Sequence, residues 1–201
     1  MKRIAVTGGI ASGKSTFAQL LGELGAKIID YDQISRVVLA KGTPATAAIA
    51  ASFGQDIFDA QGALCRSRLA EIVFADEKEL AKLNDITHPF ITKLAQESEQ
   101  KFAAETKDLV IVHDIPLFVG SWLMGQTDYA VLLTAPLDQR IERMVTNRKM
   151  NIADARARIA AQMSDAEIAP HVDAVIENTG DLSQLRNFAD QLWQNITEDD
   201  A

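Results

Sequence analysis

Residues 6–16 read "VTGGIASGKST", and the reading of this stretch decides the fold. Gly8 to Ser15 fits G-x-x-x-x-G-K-[ST]. An apolar run that predicts a strand precedes it ("RIAVTG", residues 3–8), and a stretch predicted helical follows over residues 15–24, which is the context the motif requires. Gly8 and Gly13 let the backbone curl without Cβ clashes, so that successive N–H groups point at phosphate oxygens and the helix N-terminus adds its positive partial charge. The candidate nucleotide-binding residues are therefore Gly9, Ile10, Ala11, Ser12, Gly13, Lys14, Ser15 and Thr16. Lys14 is expected to neutralise the β and γ phosphates, and the Ser15 hydroxyl to ligate Mg²⁺ bridging the same oxygens. An ordinary strand-to-helix turn needs glycines but no lysine followed by a hydroxyl.

Working outward, four more short apolar or β-branched runs follow: "KIIDYD" (27–32), "LVIVHDIP" (109–116), "YAVLLTAP" (129–136) and "AVIENTG" (174–180). Runs apolar on both faces predict buried parallel strands covered by helices on each side, which makes the pattern an alternating α/β one. One interval is anomalous. About eighty residues separate the second run from the third, more than one crossover helix needs, and the interval is rich in Ala, Leu, Glu and Lys with helical periodicity. It is expected to form a helical insertion. The acidic end "TEDDA" reads as a solvated tail.

The chain of 201 residues, 47% hydrophobic, can bury one sizeable core with a smaller appended part. Its formal net charge of -8 argues against duplex nucleic acid as a partner, because backbone neutralisation needs a surplus of Lys and Arg. No run of about 18 apolar residues predicts a membrane span, and the short apolar start is too brief for a signal segment. Cys65 is the single cysteine, so no intrachain disulfide can form. A reduced, cytoplasmic setting is the expectation, with Cys65 as a small buried apolar side chain.

The acceptor of the phosphoryl group needs a base and cationic side chains around it. Asp30 and Asp32 end the second run, where open α/β sheets place their ligand crevice. If the strand persists they point to opposite sides and one faces the reacting centre; the competing role is a turn or an N-cap for a helix beginning near Gln33. Asp114 ends the third run, the usual place of a carboxylate that holds Mg²⁺ through water. It is followed by Ile115, Pro116 and Leu117 rather than by D-x-x-G spacing, and no N-K-x-D occurs, which weighs against a GTPase.

The ordered set "TGGIASGKST", "GAKIIDYDQISR", "GTPA", "FGQDI", "LNDITHPFI", "DIPLF", "RIAAQM" and "VIENTGDL" resembles the dephospho-CoA kinases, from about residue 4 to residue 182. The resemblance implies an α/β, three-layer P-loop kinase fold with a five-stranded parallel sheet, an inserted helical domain that binds CoA, and a lid over ATP. On that pattern residues 1–32, 105–136 and 172–201 form the nucleotide-binding core, 33–104 the acceptor domain and 137–171 the lid. The implied reaction moves the γ-phosphoryl of MgATP to the ribose 3′-hydroxyl of dephospho-CoA, with no nucleic-acid, membrane or obligate protein partner. By matching position, Asp32 is the candidate base. Thr7, Arg36, Arg66, His88 and Pro116 fall on the acceptor side, Arg143 is a lid arginine facing the phosphates, and Asn178 lies at the adenine end. The plainer roles are a core or capping position for His88, a solvated helix face for Arg143 and a left-handed turn for Asn178. Three positions depart from the family pattern: Gly120 stands where a Glu is usual, Asn147 where a second lid arginine is usual, and Cys65 where an acid is usual. The alternatives are an impaired homologue that binds ATP or a CoA-type ligand, and a kinase of the same fold with another nucleotide-like acceptor.

Overall fold

The computed structural model describes residues 1–105 and 109–198, so the end of the acidic tail, Asp199 to Ala201, lies outside the described residues. Among the described residues five strands form one sheet: β1 (Lys2–Thr7), β2 (Lys27–Asp30), β3 (Val110–Asp114), β4 (Tyr129–Thr134) and β5 (Ala174–Glu177). Their order is β2-β3-β1-β4-β5 and every pairing is parallel. β1 is central. Its register sets Val6 beside Asp114 and Val131, and Ala5 beside His113 and Ala130.

The alternation of a strand sends Ile4, Val6, Val110, Val112, Val131 and Leu133 to one face. There they pack against Phe17 and Leu21 of α1 (Lys14–Glu23) and against Leu185, Ala189, Leu192 and Ile196 of α9 (Leu182–Glu198). Ala5, Ile111, Ala130 and Leu132 point the other way and are equally buried, as expected of a parallel sheet covered on both faces. β5 departs from this. The run "AVIENTG" reads as apolar on both sides, yet β5 is an edge strand with alternating burial and Val175 is 52% exposed. With a neighbour only in β4, it has no second sheet partner to enclose it.

By contacts the chain divides into two units, Met1–Asp30 with Phe102–Ala201, and Tyr31–Lys101. The first holds the sheet. It also holds α6 (Leu137–Arg148), α7 (Ile152–Ala160), α8 (Asp165–Ile168) and a 3-10 turn at Ala169–His171, the stretch expected to be the lid. The second is helical: α2 (Tyr31–Val38), α3 (Pro44–Phe53), α4 (Arg66–Ala75) and most of α5 (Glu77–Glu105). Its own core gathers Ile49, Ile57, Leu69 and Val73.

The second strand does not persist through "DYD": it stops at Asp30, and α2 begins at Tyr31 rather than near Gln33. Tyr31, Ile34 and Val38 are buried at helical spacing, and this apolar stripe draws the chain into a helix at once. Asp32 therefore sits in the first turn of α2, within the helical unit, and strand alternation does not apply to it.

Candidate functional site

The phosphate loop runs from the end of β1 into α1. Gly13 caps that helix at φ 103°, in the left-handed region, with no side-chain cap bond. A Cβ there would run into the Asn178 amide. The first N–H groups of α1 thus keep the role of orphan donors that a bound anion satisfies.

Successive loop carbonyls are each turned to a donor. The Gly9 oxygen accepts from the Ser12 N–H at 3.1 Å and the Gly13 oxygen from the Phe17 N–H at 3.0 Å. Between them, the Ile10 oxygen accepts from Arg140 Nε at 2.9 Å, the Ala11 oxygen from Arg143 Nη1 at 3.0 Å, and the Ser12 oxygen from Asn178 Nδ2 at 2.8 Å. Peptide planes whose oxygens are bound on the outside have their N–H edges directed the opposite way. The three outer donors come from α6 and from the segment after β5. They hold Ala11 at φ 62°, a left-handed conformation that costs an alanine of order 1–3 kcal/mol. Ile10 and Ala11 also pack against Ile141, Met144 and Ala155, so α6 grips the loop by polar and apolar contact and α7 by apolar contact.

Within the loop, Lys14 Nζ lies 2.9 Å from Asp114 Oδ1, with the two side chains 11% and 4% exposed. Asp114 is where the β1–β3 register sets it, level with Val6 at the C-terminal edge of the sheet. Thr7 Oγ1 and Ser12 Oγ are buried with no hydrogen-bond partner, and a buried hydroxyl without a partner is costly unless a ligand or water supplies one. A triphosphate fits this loop. The donors fit Mg²⁺ in kind, since a serine hydroxyl and a carboxylate are hard oxygens. Among the described residues no three His, Cys, Asp or Glu groups gather as a metal site, so such an ion would complete its shell with phosphate oxygens and waters.

The structure places the candidate residues in two sets. Thr7, residues 9–16, Asp114, Pro116, Arg143 and Asn178 belong to the sheet unit; Asp32, Arg36, Arg66 and His88 belong to the helical unit. In the helical unit all four are exposed. Asp32 and Arg36 open and close the same face of α2 at i and i+4, Arg66 starts α4, and His88 lies within α5 just before its internal Pro89. His88 is thus neither a core nor a capping residue. Arg143 is not a solvated helix face either: besides Ala11 it donates to Gln139 Oε1 at 3.2 Å and to the Asn178 oxygen at 3.4 Å. Asn178 is 8% exposed and has no left-handed backbone. Asn147 and Arg148 stand exposed in the last turn of α6, and Gly120, at φ 78°, in an exposed turn. Cys65 is not the buried apolar side chain expected. It is the half-exposed residue preceding α4, its Sγ is 3.5 Å from Ser67 Oγ, and that contact is the main cause of a lowered thiol pKa.

Arg140 and Gln162 went unmarked as site residues in the sequence. The available signal was the i, i+3 spacing of Arg140 and Arg143, which sets both guanidinium groups on one side of α6.

The sequence model of the dephospho-CoA kinases matches residues 2–184. The dephospho-CoA kinase of Thermobifida fusca is 38% identical over 98% of this chain and 96% of its own length. That of Corynebacterium efficiens is 41% identical over 98% of both. The solved dephospho-CoA kinase of Campylobacter jejuni covers both chains fully at 26% identity, with a TM-score of 0.69. With a phosphate loop built as described and a match of this extent, the chain belongs to the dephospho-CoA kinase family.

Proposed function

We propose that this chain transfers the γ-phosphoryl group of MgATP to the ribose 3′-hydroxyl of dephospho-CoA, giving coenzyme A and ADP, as a cytoplasmic enzyme. The observation that carries the reading is the phosphate loop with its carbonyls bound from outside and Lys14 held 2.9 Å from Asp114. A loop fixed in advance loses little conformational freedom when the triphosphate arrives, and its dipoles need no reorganisation as charge develops. The ion pair likewise holds the long Lys14 side chain in place before a nucleotide binds. Among the described residues no helix is long and apolar enough to cross a membrane.

In the transfer, the 3′-oxygen attacks the γ-phosphorus, the bond from phosphorus to the β,γ-bridging oxygen breaks, and ADP leaves. Asp32 takes the hydroxyl proton, Lys14 follows the charge onto the bridging side, and Arg143 supports the loop that binds the β phosphate. Ser15, with Asp114 through water, would hold Mg²⁺, which when bound neutralises charge shared by the β and γ oxygens. Arg36, Arg66, His88, Thr7 and Pro116 serve the acceptor, and Asn178 the adenine end. The test is ADP release from MgATP with and without dephospho-CoA, the product being weighed by mass spectrometry. ADP release that depends on dephospho-CoA, with a mass gain of one phosphoryl group, is the expected result; a folded protein that binds ATP yet turns over no dephospho-CoA would refute it.

A further inference from the structure

Arg140 is 7% exposed, and its hydrogen-bond partners are neutral: the Ile10 carbonyl at 2.9 Å from Nε and Gln162 Oε1 at 3.3 Å from Nη2. Burial pulls its pKa down from the usual guanidinium value, with the charge of Asp165 opposing. A buried cation bound to neutral groups is an expensive way to stabilise a fold, since apolar side chains fill the same volume without desolvating a charge.

What the guanidinium holds is specific. Ile10 is gripped at both ends of its backbone, its carbonyl by Arg140 and its N–H by Gln162 Oε1 at 2.7 Å, while Arg140 and Gln162 bond to each other. The three groups close a triangle that fixes both peptide planes flanking Ile10. The same guanidinium fills the space beside Gly9, where a Cβ would overlap Nη2, stand 2.7 Å from Cζ and 3.0 Å from Nη1. Gly9 has no positive φ, so backbone conformation would allow an alanine there, and the guanidinium is what an alanine would have to displace. A fixed positive charge also lies directly behind a loop that receives a triphosphate.

We propose that Arg140 and Gln162 are positioning residues for the phosphate loop, and that position 9 requires glycine because the Arg140 guanidinium occupies the space of its side chain. The proposal rests on the nucleotide-binding part of the reading above and not on the identity of the acceptor.

The experiment measures binding of a non-hydrolysable ATP analogue with Mg²⁺ by calorimetry in Arg140→Ala, Gln162→Ala, Gly9→Ala and the double variant Gly9→Ala/Arg140→Ala. Steady-state constants for both substrates are measured beside it. Arg140→Ala is expected to weaken the analogue about tenfold, the size of one well-made hydrogen bond. The KM for ATP should rise in step and the KM for dephospho-CoA stay unchanged, a split that general loss of folded protein would not produce. Gly9→Ala should weaken binding to a similar degree, and the double variant no further than the weaker single one, because the three atoms nearest the added methyl all belong to the guanidinium that Arg140→Ala removes. Arg140→Lys should recover part of the affinity. If Arg140→Ala does not fold, Gln162→Ala carries the test, since truncating its half-exposed side chain removes the acceptor shared by the Ile10 N–H and Arg140 Nη2 and leaves the Arg140 bond to the Ile10 carbonyl in place. Multiplying effects in the double variant, or unchanged analogue affinity in Gln162→Ala or in folded Arg140→Ala, would overturn the proposal. Because the analogue is bound and not turned over, a failure of the dephospho-CoA assay leaves this result interpretable.

Discussion

The two units of the chain carry their chemistry in opposite ways. In the sheet unit the candidate groups are backbone amides and one lysine, and the loop that carries them is held from behind by residues up to 166 positions away in sequence, as with Asn178 and Ser12. In the helical unit the candidates are the exposed side chains of Asp32 and Arg36 on α2, Arg66 on α4 and His88 on α5. The first arrangement is organised before its ligand arrives. The second presents its groups on exposed side chains of helices. On the proposed reading, triphosphate binding suits the first because every nucleotide presents the same anionic tail, while an acceptor with its own shape suits exposed side chains.

Two substitutions test this contrast. Lys14→Ala has the largest expected effect, a fall in kcat of about 10³-fold, because it removes a preorganised charge from the developing phosphate charge. It also strips the 4%-exposed Asp114 carboxylate of its ion-pair partner, so the variant's melting temperature should fall as well. Asp32→Asn comes next, with kcat down about 10²-fold. That is the low end for a general base, since in a loose phosphoryl-transfer transition state the attacking hydroxyl keeps its proton until late. Here the KM for ATP and the melting temperature should stay put, because the side chain is exposed in the first turn of α2. A large stability loss in Asp32→Asn, or none in Lys14→Ala, would erase the distinction between the two units.

The division also explains what could be read in the chain itself. The loop, the strand before it and Asp114 declare themselves locally: one spacing of Gly, Lys and Ser, and one carboxylate at the end of an apolar run. Arg140 does not, because in "LDQRIERM" it has the sequence context of a solvated helix face, and only the return of α6 to the loop, 130 positions away, buries it. Gln162 is hidden for the same reason, at a separation of 152. The exposure of β5 is not legible either, since its edge position depends on which strand is absent beside it, and neither is that of Cys65, whose surface position follows from the turn that precedes α4. The early start of α2 was legible after all: Tyr31, Ile34 and Val38 already carry a helical stripe.

The smallest effect belongs to the sheet unit's own periphery, where polar fixing meets solvent. Asp181 precedes α9, and its Oδ1 accepts from the N–H groups of Ser183 and Gln184, both at 3.0 Å, and from Ser183 Oγ at 2.6 Å. The Ser183 hydroxyl first, then the Gln184 N–H, hold its pKa below the usual carboxylate value. A carboxyl whose pKa is lower in the folded state stabilises the fold above its unfolded pKa, and that contribution is lost as pH falls through the folded one. Asp181→Asn keeps a good cap acceptor but cannot titrate. Its melting temperature at neutral pH should therefore stay close to the parent's, while its decline on acidification below the ordinary carboxylate range becomes shallower. The remaining slope includes Glu167, whose capping box with Ser164 lowers its pKa in the same direction. Thermal melts of both proteins across the acid range make the comparison, and parallel curves would show that the cap contributes nothing, leaving fixation of the sheet unit to the buried groups behind the phosphate loop.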